Sequence, residues 1–184
     1  MPTATLQASA LKWLAQREHS RTELRRKLLW QAARLAAGAA AAQAKSPNAG
    51  EPGFDDKPAA ECDAQDPSQH AREVDALLDA LAEKGLLSEA RFIESRIRAR
   101  AQRYGNRRIE GELAQHKLVL GAPDKHLLAA SELQRAQAVW ARKFRTPAAD
   151  AGGRAKQMRF LAARGFSMDV IRKVLAGEGG AESC

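Results

Sequence analysis

Aromatic residues are scarce in this chain, with three Trp, one Tyr and five Phe among 184 residues. Sheet proteins draw heavily on aromatic and β-branched side chains, so this scarcity beside abundant Ala, Leu and Arg points to helices packed through small residues. Cysteine is nearly absent: Cys62 and Cys184 fall in segments expected to be flexible. No structural disulfide is expected, and a reducing, cytoplasmic location is the default. No apolar run approaches the roughly 18 residues of a membrane span. The opening MPTATLQASALKW lacks the basic start and apolar core of a secretory leader. There is no GxxxxGK[ST] loop and no GxGxxG following a strand. His19, His70, His116 and His126 are scattered over separate expected elements and read as surface or cap-adjacent residues, not bases. Asp55, Asp56, Asp63 and Asp66 read as an acidic linker, since nothing fixes a ligand geometry. No enzyme, metal, cofactor or membrane partner is expected.

What the chain does have is positive charge. The formal net charge is +8. Residues 36–70 hold two lysines against six carboxylates, a net −4, so the other residues carry +12. A body that basic attracts a polyanion, either nucleic acid or an acidic protein surface. The competing reading is a solvated basic surface without a partner.

The densest stretch runs from Ser88 to Leu113, where seven arginines fall within 91–108 against one acid, Glu94. Ser88 is placed to cap a helix, with Leu87 and Phe92 as a hydrophobic staple. Ile93, Ile97, Ala101 and Tyr104 recur at helical steps as the inward face. Arg96, Arg100 and Arg103 recur at the same steps and lie within about 60° of one another on a helix. Gly105 is read as a left-handed helix stop, Asn106 as the next cap, and Arg107 and Arg108 as that helix's first turn. Only Tyr104 lies near this cluster in sequence, which argues against a binder that relies on base stacking.

Before this stretch, a first helix is expected from about Leu6 to Arg17, with Ala8, Leu11 and Ala15 on one side and Trp13 packing. Ser20 and Glu23 form a capping box. The next helix turns Leu24 and Leu28 inward and carries Arg25 and Arg26. Residues 32–69 read as an Ala/Pro-rich acidic insert, disordered from 46 to 68 although its alanine run can extend the preceding helix. A third helix carries Val74, Leu77, Leu78 and Leu81 and ends at Gly85. Beyond the central stretch, separate helices start near Pro123 and near Glu132. A later one carries Lys156, Arg159 and Arg164, and Gly165-Phe166-Ser167 repeats the glycine stop, staple and cap of Gly85–Ser88. The units 5–31 plus 70–87, 88–130 and 132–176 thus read as three tandem three-helix repeats, followed by a flexible tail at 177–184. Stacked repeats of this kind give an all-α, elongated and curved body.

Several of these phrases together resemble the RecX family, bacterial regulators of the RecA recombinase. They are LAQREHSRTELRRKL, the Ser88–Phe92 start of an arginine-rich helix, Tyr104-Gly105 with Arg107-Arg108-Ile109, Glu112-Leu113, and MRFLAARGFSMDVIRKVL. The resemblance implies a protein that binds the RecA nucleoprotein filament along its groove. It further implies opposition to filament growth, strand exchange, ATP hydrolysis and the co-protease activity that triggers the SOS response. One departure is Lys117, where the family commonly has glycine; the helix is expected to extend to Gly121 instead. Candidate contacts to RecA or DNA are Arg96, Arg100, Arg103, Arg107, Arg108, Arg25, Arg26, Lys156, Arg159 and Arg164. DNA contact, to single or double strands, is expected to be sequence-independent, and the chain to be a monomer. The alternative is a basic helical protein acting on duplex DNA independently of RecA.

Overall fold

Local stop and cap signals set the helix boundaries. The computed structural model describes residues 2–44 and 67–177. It is all-α, with eight helices and no strand among the described residues: α1 Pro2–Gln16, α2 Arg21–Ala44, α3 Pro67–Glu83, α4 Glu89–Arg100, α5 Asn106–Gln115, α6 Ala122–Ala141, α7 Ala151–Ala163 and α8 Met168–Ala176. The chain divides into two compact units, one ending at Ser88 and the other beginning at Glu89. No described helix is long and apolar enough to cross a membrane. The alanine run does continue α2, to Ala44; Pro67, Ser68 and Gln69, expected within the insert, open α3 instead, and residues 45–66 and the tail beyond residue 177 lie outside the described residues.

The first unit packs α1, α2 and α3 around Leu6, Ala10, Leu24, Leu28, Ala32, Val74, Leu78, Leu81 and Leu87. The α3 face is the expected one. The α1 face is not: Ala8, Leu11 and Ala15 are exposed, and Leu6 and Ala10 are buried instead. Two helical stripes compete on α1, and the one backed by Trp13 and Leu14 buries more apolar surface. The hydroxyl half of the Ser20 capping box is present, with the Glu23 amide donating to Ser20 Oγ at 3.1 Å. His19 adjoins that cap but is wholly buried, not a surface residue. Gly85 takes the left-handed conformation expected of a stop, at φ +68.

The second unit contains two cores. Phe92, Ile109, Leu113, Leu118, Leu120 and Leu128 form one, with Ile93, Ile97 and Ala101 half-buried at its edge. Ala136, Val139, Leu161, Phe166, Ile171 and Val174 form the other. Helix α6 contributes to both. The separate helices expected near Pro123 and Glu132 are therefore one helix. Ala129-Ala130-Ser131-Glu132 contains neither Gly nor Pro, and Ser131 Oγ donates back to the Leu127 and Leu128 carbonyls at 3.0 and 3.3 Å instead of capping a new start.

Three further expectations need correction here. Helix α4 ends at Arg100, so Tyr104 and Arg103 leave its course. Gly105 is extended, at φ −79 and ψ 172, and is itself the N-cap of α5; Asn106 is the first residue of that helix. Lys117 does not prolong α5 to Gly121: it sits at φ +60, the left-handed conformation that a glycine would take. The Lys117 and Leu118 amides close the helix by donating to the Ala114 and Leu113 carbonyls at 2.9 and 3.1 Å. The backbone keeps this helix stop even with lysine at the position.

Candidate functional site

Gly105 is a glycine because another backbone passes against it. A Cβ there would collide with the Gly165 carbonyl and the Phe166 amide. The approach is mutual: Gly165, at φ +83, would place a Cβ 2.6 Å from Arg108 N and Arg108 Cβ. Two hydrogen bonds fasten the crossing, from Gly105 N to Arg164 O at 2.9 Å and from Arg107 N to Gly165 O at 3.1 Å. Two stretches 60 residues apart in sequence, Tyr104–Arg108 and Arg164–Ser167, are thereby brought together.

Helix α6 holds the crossing from beneath. The Glu132 carboxylate is 5% exposed and accepts from Asn106 N at 3.1 Å, Ser167 N at 3.2 Å and Ser167 Oγ at 3.1 Å. One carboxylate thus caps the starts of α5 and α8, where free amides and the helix dipole favour negative charge. One turn later, Arg135 donates to the carbonyls of Tyr104 at 2.9 Å, Ala101 at 3.3 Å and Leu128 at 2.9 Å, and to Asn106 Oδ1 at 2.5 Å. Burial pushes the Arg135 pKa down, with the Glu132 charge opposing that shift. Neither residue stands out in sequence, because the helix starts they join lie 26 to 35 positions away.

The ten cations expected as contacts are placed very differently. Arg25 is held by Asp75, its Nε and Nη2 donating at 2.6 and 2.9 Å. Arg26 is exposed on α2. Arg96 lies over the Phe92 ring at 5.1 Å. Arg100 and Arg108 share the Glu112 carboxylate, at 2.9 and 3.7 Å, and both approach the Tyr104 ring, at 5.7 and 4.5 Å. The ridge expected at 96, 100 and 103 is therefore not a single ridge. Arg107, Lys156 and Arg159 are exposed.

Arg103 and Arg164 are brought together. They line a cavity of about 320 Å³ with Arg142, Lys143, Tyr104, Phe160, Gln102 and Val139. The carboxyl ends of α4, α6 and α7 converge there, and cations are favoured at such ends. The Phe160 ring is set edge-on to Phe144 at 5.1 Å, with Arg164 3.8 Å and Lys143 4.4 Å from its centre. Arg142, Lys143 and Phe160 were invisible as site residues in sequence; the one available signal was basic residues just beyond successive helix ends. No group of three or more His, Cys, Asp or Glu able to hold a metal occurs among the described residues.

Comparison with known proteins agrees with this architecture. The family model for the third three-helix domain of RecX matches residues 130–175, which begins inside α6 and takes in α7 and α8. The regulatory protein RecX of Leptothrix cholodnii is 39% identical over 180 residues, covering 95% of this chain and 89% of the relative. That of Ralstonia nicotianae is 40% identical over 176 residues, covering 94% and 87%. That of Pseudomonas entomophila is 48% identical over 110 residues, covering 56% and 70%. Likeness of this extent assigns a regulatory protein, not an enzyme, and the chain belongs to the RecX family.

Proposed function

We propose that this chain binds the RecA nucleoprotein filament in the cytoplasm and restrains its recombinase, ATPase and SOS co-protease activities. One observation carries the reading: about two-fifths identity, along nearly the whole chain, to proteins named regulatory protein RecX. The basic surface supplies a physical means. A protein that binds one filament state more tightly than another shifts filament assembly by that difference in affinity. We read the chain as three three-helix repeats, supported by its three separate cores, with the two halves of α6 serving successive repeats.

The test is RecA ATPase on single-stranded DNA titrated with this protein. Hydrolysis should fall as the protein is added, and inhibition should weaken as salt rises, since salt screens the attraction and competes for phosphates. An unchanged ATPase, together with a sequence-specific shift of duplex DNA in the absence of RecA, would replace this reading with the duplex-binding one.

A further inference from the structure

We infer that the cavity at the converging ends of α4, α6 and α7 is a binding site for the phosphate of a nucleotide. The inference deepens the proposed role and rests on it only for its biological purpose, because binding is measured without RecA.

The first ground is uncompensated charge. Arg103, Arg142, Lys143 and Arg164 line the cavity without a carboxylate among its walls, and none has a carboxylate partner among the described residues. Elsewhere several cations are neutralised: Arg17 by Glu23, Arg21 by Asp79, Arg25 by Asp75, and Arg100 and Arg108 by Glu112. Four like charges around one concavity raise its positive potential and attract an anion, most strongly at low salt. The converging helix ends oppose an anion by roughly half a charge each, so four full positive charges outweigh them. Those ends are also largely satisfied already. The Arg164 carbonyl accepts from Gly105, Trp140 O from Lys143 and Phe144, Arg100 O from Arg103 and Tyr104, and Tyr104 O from Arg135.

The second ground is placement. Arg164 and Lys143 are held near the face of Phe160, whose negative quadrupole partly offsets their charge and fixes where they sit. The Gly105–Gly165 crossing places Arg103 and Tyr104 beside them. Arg164 and Lys143 are thus placed before any ligand arrives, with Arg103 and Arg142 exposed at the rim.

The third ground is the shape of the walls. Tyr104, Phe160 and Val139 add flat and aliphatic surface to the cationic rim. A carboxylate surface on a protein would use the rim and leave these walls idle. A nucleotide uses both, with phosphate on the guanidinium forks and its sugar against the apolar walls. The volume lies in the range of small-ligand sites. The same chemistry is presented by a single strand and by a free nucleotide.

The experiment follows a labelled short oligothymidylate by fluorescence anisotropy against the full chain at several salt concentrations, without RecA. Thymidine monophosphate is titrated separately while backbone amide shifts are recorded by NMR. Two variants each remove two of the cations, Arg103→Gln with Arg164→Gln, and Arg142→Gln with Lys143→Gln. A control removes the same charge outside the cavity, at Arg98→Gln with Lys125→Gln. Circular dichroism melting establishes which variants fold, and either cavity variant suffices. Cavity variants should bind the oligonucleotide about tenfold or more weakly, and the slope of log affinity against log salt should shrink by about 0.7 for each phosphate that is no longer engaged. The control should stay within about threefold. Amide shifts around Tyr104 and Arg164 caused by the monophosphate assign a free nucleotide as a ligand; shifts with the oligonucleotide alone assign the strand. The inference is overturned if the chain does not bind the oligonucleotide, or if the control loses as much as the cavity variants. It is equally overturned if the cavity variants keep the oligonucleotide but lose RecA ATPase inhibition, since the cations would then face an acidic protein surface. That last result would leave the filament reading intact.

Discussion

Two glutamates are buried among the described residues, one in each unit, and they are held by opposite means. In the first unit, Glu23 is held by two cations and a histidine. Arg17 donates to both of its oxygens, His19 Nδ1 lies 3.2 Å away, and Lys27 Nζ lies 3.5 Å away. In the second unit, Glu132 is held by two backbone amides and a serine hydroxyl at two helix starts. The choice of partner has a consequence for the rest of each surface. The first unit uses arginines and lysines to neutralise acids inside and between its helices. The second satisfies its buried acid with neutral donors; Glu112 still pairs with Arg100 and Arg108, but the cations lining the cavity have no carboxylate partner among the described residues. A net charge of +8 says nothing of this division; it depends on which donors fold next to which acceptors.

The strongest challenge to the comparison is to remove the neutral-donor arrangement. Glu132→Ala strands two amides and a hydroxyl in a buried position and leaves Arg135 without its nearby charge. Each unsatisfied group costs on the order of 1–3 kcal/mol, so a loss of about 4 kcal/mol is expected from urea denaturation. Because Glu132 ties the Asn106 start to the Ser167 start, the variant should also broaden the amide resonances around Gly105 and Gly165. A loss below about 1 kcal/mol would mean that water replaces the carboxylate easily and that the junction does not depend on it.

Acid tests the other half. Burial alone would raise the pKa of Glu23, but the hydrogen bond from Arg17, with the charges of His19, Arg17 and Lys27, holds it down to about 2 from 4.5. Burial likewise pushes the pKa of His19 below 6.5, against the attraction of Glu23. Both are depressed in the folded state, so the unfolded chain binds more protons and stability falls as pH falls. The Glu23 contribution is complete above pH 4.5 and is lost on the way down to about 2, a total of about 3 kcal/mol. The His19 contribution starts to decline below about 6.5. With Trp140→Phe in the background, the remaining Trp13 and Trp30 fluorescence reports on the first unit alone. Its urea midpoint should drop between about pH 4.5 and 2.5, and Glu23→Gln should flatten that slope. An equal slope in both proteins would show that Glu23 is not the responsible group.

These two glutamates also show what could be read in advance. Ser20 and Glu23 stand three residues apart, and their capping relation was legible because it is local. So were the glycine stops at Gly85 and Gly165 and the face of α3; Ser167 stands at the start of α8 as expected, but its hydroxyl donates to Glu132 instead of capping the helix. The stop at Lys117 was misread because local signals there point to a longer helix, whereas burial of Leu118 and Leu120 in the core favours the turn. The continuity of α6 was missed because regular spacing of repeats suggested a break that no residue enforces. Glu132 and Arg135 were unreadable: nothing in a sequence tells that one acid will meet two helix starts 26 and 35 residues away. At the site, Arg103 and Arg164 are legible in sequence only as basic residues on separate helices. The aromatic wall is not legible there because Phe160 lies far from Tyr104 in sequence, so the apparent poverty of rings near the arginines is a property of order along the chain.

The smallest effect sharpens the comparison most directly. If pairing is what withholds a cation from a polyanion, then undoing one pair should make a first-unit cation behave like the unpaired cations that line the cavity. Arg25 and Asp75 are suited to this because both are about two-fifths exposed, at 41% and 40%, and form a two-point contact between α2 and α3. A pair so placed contributes little to folding, on the order of 0.2–1 kcal/mol, because water and salt weaken it and two side chains must be ordered. Asp75→Ala should therefore lower the urea midpoint only slightly. At the same time it leaves Arg25 uncompensated on a basic helix beside Arg26, and Arg21 is still held by Asp79 at 2.7 Å. Affinity for a single-stranded oligonucleotide at low salt should rise by a few-fold, and the gain should vanish as salt is raised, as expected when one more phosphate is engaged. The double variant Asp75→Ala with Arg25→Ala should return to the affinity of the unaltered chain. A gain that survives loss of Arg25 would trace to removal of negative charge in general. No gain at all would show that pairing does not withhold first-unit cations, and that the location of the cavity in the second unit alone decides where a polyanion binds.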